Sequence, residues 1–399
     1  MKNHNKSAPS RAATRNTCRS SQLPVRVARS RSSEAVVHIS NTACPLRGQT
    51  VPPQNPYLQR RHRTKVVVLS GLAACTLLQA AAQPLVAAPP PLPRRPVSTY
   101  SIVARDPATG EMGVAVQSHW FSVGSVVPWA EAGVGAVATQ SMVDPAYGPL
   151  GLEMMRLGRS APDTLTALVA GDEGREVRQV AMVDANGKVT VHTGKRCIQP
   201  AGHVLGKDEQ FSVQANLMAN ERIWPAMAKA YREAKGDLVE RMLVALEAAE
   251  AEGGDIRGRQ SAALVVVAAK STGKPWADRR FDLRVEDHPQ PLVELRRLVK
   301  LQRAYLHMNA GDLAIEKNDF AQAAKEYTAA QTDAPHIIEI PFWRAVSLAN
   351  SGHVDEALPL FKEVFAKEPV WADLIPRLVE SQLLKVEPGV MAKIEAQRR

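Results

Sequence analysis

The chain has 399 residues, 45% of them hydrophobic, which is long enough for two or three domains of about 150 residues each. Its formal charge is +10, but the first 65 residues hold thirteen Lys or Arg against one acid, Glu34, so the remainder nets −2. The basicity belongs to a leader, and the charge gives no reason to expect nucleic acid as a partner of the folded part.

Residues 1–65 are polar, basic and aperiodic, as in a disordered leader or sequence upstream of the true start. Arg60, Arg61, Arg63 and Lys65 then form a charged n-region before the short apolar run 66–82, which ends in Ala80-Ala81-Ala82. That is the pattern of a cleaved export signal, and it predicts a periplasmic or secreted protein. Leu72-Ala73-Ala74-Cys75 as a lipoprotein box and a retained membrane anchor are the alternatives. Residues 83–98 are a proline-rich linker centred on PPPLPRRP, which favours an extended chain. Cys18, Cys44 and Cys75 all precede the linker, which leaves Cys197 without a disulfide partner in the mature part.

Residues 99–290 read as a mixed α+β domain. Tyr100 to Ala104 and Met112 to Val116 are strands around a turn built from Asp106, Pro107, Thr109 and Gly110. After a loop, Gly133 to Ala138 is a third strand of small apolar residues. Two helices follow: in the first, Leu150, Met154, Met155 and Leu157 share a face, and the second starts at Ser160-Ala161-Pro162-Asp163. Gln179 to Val183 and Lys188 to His192 are strands flanking the Asn186-Gly187 turn. Phe211 to Val213 is a short strand. Glu221 to Ala234 and Leu238 to Glu252 are amphipathic helices, Ala263 to Ala268 is a buried strand, and FDLRVEDH is an edge strand. Strands, paired helices, strands, paired helices and strands suit a sandwich of sheets flanked by helices.

Residues 291–399 turn wholly helical, opening with Leu292, Leu295, Leu298 and Val299 at helical spacing. Phe320, Ala323, Tyr327 and Pro335 recur 34 residues later as Val354, Ala357, Phe361 and Pro369. A small residue, an aromatic and a proline in one 34-residue register is the tetratricopeptide (TPR) pattern. It predicts two repeats with flanking helices at about 291–317 and 371–385, docked on the first domain, and a protein or peptide partner.

The segments TYSIVARDPATGEMGVAVQS, VGSVVPWAEAGVGAVATQS, YGPLGLEMMRLG, HTGKRC and GGDIRGRQSAAL resemble the family called domain of unknown function 1028, which is similar to the N-terminal-nucleophile (Ntn) hydrolases. The resemblance implies an αββα sandwich and an unassigned hydrolytic activity. It also implies a nucleophile at Thr99, because relatives without an export signal often begin Met-Thr and expose threonine when Met is removed. In such enzymes the terminal hydroxyl attacks an amide carbonyl and the residue's own amine moves the proton. Here Thr99 stands behind a signal and a linker. Its amine would have to be freed by a cut after Ser98, and its hydroxyl would need a groove beside it. The other reading is an ordinary threonine opening a strand.

Around Thr99, Ser118 and His119 follow the second strand and are the further catalytic candidates, with His119 as acid or substrate positioner or a structural histidine. Gly133, Gly135 and Gln140-Ser141 are candidate sources of oxyanion donors, or simply close-packed small residues. His192 and Thr193 are expected to line the cleft, with Asn216, Asp255, Arg257, Gln260 and Ser261 on loops beside it. An Asp255–Arg257 pair could bind a substrate carboxylate, hold Thr99, or only brace the loop. His192, Cys197 and His203 are spaced too widely for an ordinary zinc motif, so neither metal nor other cofactor is expected, and Cys197 reads as a small buried hydrophobe rather than a nucleophile. Two functions follow: an exported amidohydrolase acting on a small amide or peptide, or a non-catalytic envelope binding or scaffold protein that recruits partners through its helices.

Overall fold

The computed structural model describes residues 96–398. The expected leader and export signal, and most of the proline-rich linker, lie outside the described residues. Among the described residues, no helix is long and apolar enough to cross a membrane.

Among the described residues, ten strands form two antiparallel sheets. β1 (Thr99–Arg105), β2 (Met112–Ser118), β7 (Gly202–Gly206), β8 (Phe211–Ala215), β9 (Ser261–Val267) and β10 (Arg279–Val285) make a six-stranded sheet in the order β10-β9-β2-β1-β8-β7. β3 (Pro128–Glu131), β4 (Gly135–Ser141), β5 (Arg178–Asp184) and β6 (Val189–Thr193) make a four-stranded sheet in that order. β10 is an edge strand, as its mixed charge suggests. β3 and β7 were not legible in the sequence: β3 is four residues long, and β7 (GHVLG) lacks an alternating pattern.

Alternation along β1 explains the layers. Tyr100, Ile102 and Ala104 face a core shared with α3 (Ile223–Glu233) and α4 (Leu238–Ala251). Val103 faces the other way, into an apolar cluster between the sheets with Val114, Val116, Ala136 and Ala138. On the far side of the small sheet, Val137, Val180 and Met182 pack on α1 (Tyr147–Arg156) and α2 (Ala161–Gly171). The order is helix pair, sheet, sheet, helix pair. Ser160 caps α2 by accepting from Asp163 N at 3.3 Å, and Asp237 caps α4 by accepting from Glu240 N at 2.9 Å.

The buried face of α1 differs from the expected one. Met155 is buried as expected, but Leu150 and Leu157 are exposed, and the helix buries Gly148, Gly151 and Leu152 in their place. The reason is close approach: a Cβ on Gly148 would stand 2.3 Å from the Trp129 ring, so the helix lies directly on that indole.

Helix α5 (Pro291–Glu316) carries Leu292, Leu295 and Val299 into the core under the six-stranded sheet. Its second half, with Ala304 and Met308, joins a cluster with Ala330, Ala334 and Ile340. Helices α6 (Phe320–Asp333), α7 (Glu339–Asn350), α8 (Val354–Lys367), α9 (Val370–Glu380) and α10 (Pro388–Glu395) complete the chain. The repeated Ala323 and Tyr327 on α6 and Ala357 and Phe361 on α8 are all buried.

Candidate active site

Thr99 opens β1, directly opposite Ser118 on β2. On its other side the chain continues from β8, and Asn216 N donates to the Thr99 carbonyl at 3.1 Å. Thr99 and Ser118 lie in the plane of the six-stranded sheet, and neither is exposed. The Thr99 hydroxyl is 2.7 Å from the Val97 carbonyl, which accepts its proton, and 3.3 Å from Ser118 Oγ.

The expected open groove beside that hydroxyl is not there. Thr99 has no solvent exposure, and its hydroxyl is engaged by the residues immediately before it. Val97 and Ser98 are themselves fully buried. Val97 forms an antiparallel bridge to Ser141, donating to the Ser141 carbonyl at 2.7 Å and accepting from Ser141 N at 3.0 Å. The Ser98 carbonyl accepts from the Ser118 hydroxyl in a short hydrogen bond and from Arg257 Nη2 at 3.1 Å. Arg257 Nη1 reaches the Pro96 carbonyl at 3.4 Å. The peptide bond that joins residues 98 and 99 thus has its oxygen held by two donors.

Arg257 is aimed by Asp255. Asp255 accepts from Arg257 Nε at 3.0 Å and from Nη2 at 2.7 Å, and also from the Arg257 backbone N at 2.9 Å. Asp255 is buried, and its second oxygen also accepts from His119 N at 3.3 Å. The turn that places it needs Gly254, at φ 57°, where a Cβ would meet Glu250 Oε2 at 3.0 Å. Because the pair neutralises itself, the guanidinium offers its remaining N–H groups to neutral carbonyls rather than to a carboxylate.

A ladder of buried amides stands behind Thr99. Gln140 Nε2 lies 3.2 Å from the Thr99 carbonyl and 2.7 Å from Gln179 Oε1. Asn216 Nδ2 donates to Gln179 Oε1 at 3.0 Å, and Gln179 Nε2 reaches Thr193 Oγ1 at 2.9 Å. Ser101 donates to Gln140 Oε1 at 2.6 Å and accepts from Gln214 Nε2 at 2.6 Å. Three polar atoms near Thr99 have no partner among the described residues: Asn216 Oδ1, Ser98 Oγ and His119 Nδ1. Such orphans cost free energy in a dry interior and call for an explanation.

Of the other expected residues, only Thr193 joins that ladder, through Gln179, and the rest scatter. His192 Nε2 contacts the Arg175 carbonyl at 2.8 Å, and Thr193 bonds His203 Nδ1 at 2.9 Å. Gln260 donates to Asp287 at 3.1 Å, and Ser261 donates to the Trp120 carbonyl, so neither side chain addresses Thr99. Gly135 opens β4 and Gly133 precedes it, at the wrong end of the strand: six residue steps, about 20 Å, separate Gly135 from Ser141. Cys197 is buried with Sγ against the Arg178 carbonyl, and burial pushes its thiol pKa up, which opposes a nucleophilic role. The glutamines Gln179 and Gln214 were missed by sequence reasoning. Their signal was an amide at an otherwise apolar strand position. A cavity of about 590 Å³ lined by Trp129, Glu131, Arg156 and Arg284 includes none of the residues around Thr99.

No curated protein matches this chain. The crystal structure of a Silicibacter pomeroyi protein labelled with the family DUF1028 is similar at 28% identity, with a TM-score of 0.45, over 51% of this chain and 88% of that one. Residues 99–295, which contain Thr99, Ser118, Asn216 and Arg257, match the family of unknown function DUF1028.

Proposed function

We propose that the protein is an exported Ntn-type amidohydrolase whose nucleophile is Thr99, and that the chain as described is its uncut form. The carrying observation is the Ser98 carbonyl, held by the Ser118 hydroxyl and Arg257 Nη2 immediately beside the Thr99 hydroxyl. Addition of Thr99 Oγ to that carbonyl carbon puts negative charge on the oxygen, where the two donors stabilise it. The C–N bond then breaks, the Thr99 nitrogen takes the hydroxyl proton, and an ester joins Ser98 to Thr99 Oγ. Water hydrolyses the ester, leaving a Ser98 carboxylate and a free amine on Thr99.

In the cut protein the same hydroxyl attacks a substrate amide. The amine, with a reference pKa of about 7.7–8.0, carries the proton from the nucleophile to the leaving nitrogen. The unpartnered Asn216 Oδ1 is a buried acceptor suited to an N–H of that amine. No cofactor takes part in these steps. Residues 291–399, with the buried alanine–aromatic pairs of α6 and α8, serve as a TPR-type surface for a protein or peptide.

Mass spectrometry of the exported protein tests this. The expected mature N-terminus is Thr99, and Thr99→Ala is expected to stay uncut and to hydrolyse nothing. A protein that hydrolyses amides while its N-terminus stays upstream of Thr99 overturns the mechanism. The complete burial of Thr99 and its acylated nitrogen favour a second reading, a non-catalytic envelope scaffold. An exported chain that remains uncut and captures a partner through residues 291–399 supports that one.

A further inference from the structure

Residues 96–98 lie in the sandwich as a bound peptide would. We infer that they mark the acyl-side groove of the enzyme, and that its substrates are extended, neutral peptides with a small residue at the cleaved carbonyl and a β-branched apolar residue before it. This rests on the hydrolase reading above. It narrows the small amide or peptide of that reading to a peptide of at least three residues.

The chemistry makes the two occupants equivalent. Self-cutting would place the acyl group of Ser98 on Thr99 Oγ as an ester, and attack on a substrate would place the substrate's acyl group on the same atom. Whatever precedes the cleaved carbonyl must then run through the space that Pro96, Val97 and Ser98 occupy.

The contacts of that segment define what fits. Most are to its backbone: Val97 N–H to the Ser141 carbonyl at 2.7 Å, Ser141 N–H to the Val97 carbonyl at 3.0 Å, and Arg257 to the Ser98 and Pro96 carbonyls at 3.1 and 3.4 Å. This is strand addition, in which main-chain bonds give affinity and side-chain pockets give selectivity. The residue before the cleaved one must carry an N–H, so proline is excluded there. Its side chain sits where Val97 is buried, in the apolar cluster between the sheets with Val116, Val127 and Val143. A charge there would be buried unpaired. At the cleaved position Ser98 is wholly buried and its hydroxyl has no partner, so the pocket suits a small side chain and gains nothing from the oxygen.

The test uses the exported protein after its terminus has been read, with aminocoumarin amides of acetylated tripeptides. Acetyl-Pro-Val-Ala and acetyl-Pro-Val-Ser are expected to be cleaved with similar kcat/KM. Replacing Val by Asp or by Pro is expected to lower kcat/KM by at least about tenfold, and Trp at the cleaved position to abolish turnover. A single acetyl group on the aminocoumarin is expected to be a poor substrate. Equal rates across the panel overturn this inference and leave the hydrolase reading intact. A Thr99-terminal protein that cleaves no amide, or a terminus that stays upstream, overturns both.

Discussion

A threonine hydroxyl is a weak nucleophile, and the surroundings of Thr99 bear on how it would be activated. Its carbonyl is held by Asn216 N and approached by Gln140 Nε2, so the residue cannot swing out of the sheet. Ser118 gives its proton to the Ser98 carbonyl, which leaves its own oxygen free to face the Thr99 hydroxyl. A second buried polar site bears on stability alone. Arg178, nearly inaccessible, bonds Asp172 at 2.8 Å, and Asp172 also accepts from Gly174 N at 2.7 Å and the Tyr147 hydroxyl at 3.0 Å. Partial burial works to raise the Asp172 pKa, but the Arg178, Gly174 and Tyr147 bonds outweigh it and hold the carboxyl below its ordinary value. A carboxylate depressed in the folded state contributes stability that is full above the unfolded pKa of about 3.9 and is lost as pH falls through the folded value. Asp172→Ala should therefore flatten the acid limb of the stability–pH profile. At neutral pH it should cost about 3 kcal/mol, because the buried Arg178 keeps only a hydrogen bond to the neutral Met142 carbonyl and a carboxylate, Asp144, at 4.0 Å. Urea unfolding between pH 3 and 7 measures both.

At the scale of the element, the two central strands are kept in place by what they show to each face. Tyr100 points away from the Thr99 side chain and donates to Glu250 Oε2 on α4 at 2.6 Å, which ties β1 to the helix layer. Burial and the neighbouring Glu250 carboxylate push the Tyr100 pKa well up, so it remains a donor. α1 is held differently, by the absence of side chains. Gly148→Ala adds a Cβ 2.3 Å from the Trp129 ring, against a helix-propensity gain of about 1 kcal/mol. The clash is expected to win and destabilise by about 1–3 kcal/mol net. A thermal melt that shows Gly148→Ala unchanged or stabilised would contradict this packing.

At the scale of the whole molecule, helix α5 belongs to two cores. Its first half completes the apolar layer beneath the six-stranded sheet, and its second half begins the helical array. Arg296 reinforces the first attachment, bonding Glu247 at 2.6 Å and Glu240 at 2.9 Å on α4. Leu295 is fully buried, so Leu295→Ala should lower the stability of the sandwich by about 2–5 kcal/mol although it lies in the helical region of the sequence. If the variant melted only the helical array and left the sandwich transition unmoved, this attachment would be disproved.

What the sequence determined by itself was local. The alternation of β1, the Asn186-Gly187 hairpin and the cap at Ser160 arise from residues a few positions apart, and each was legible, as was the 34-residue recurrence of alanine and aromatic residues; the cap at Asp237 is as local but was not read. The face of α1 was misread because the burial of a glycine is decided by the indole lying on it, not by helical spacing. Only the tertiary structure decided what stands beside Thr99. Arg257 reaches Ser98 across 159 positions of chain, Asn216 reaches Thr99 across 117 and Gln140 across 41. Contacts of that separation leave no periodic trace in a sequence. They exist because strand pairing brings those residues to one end of two facing sheets.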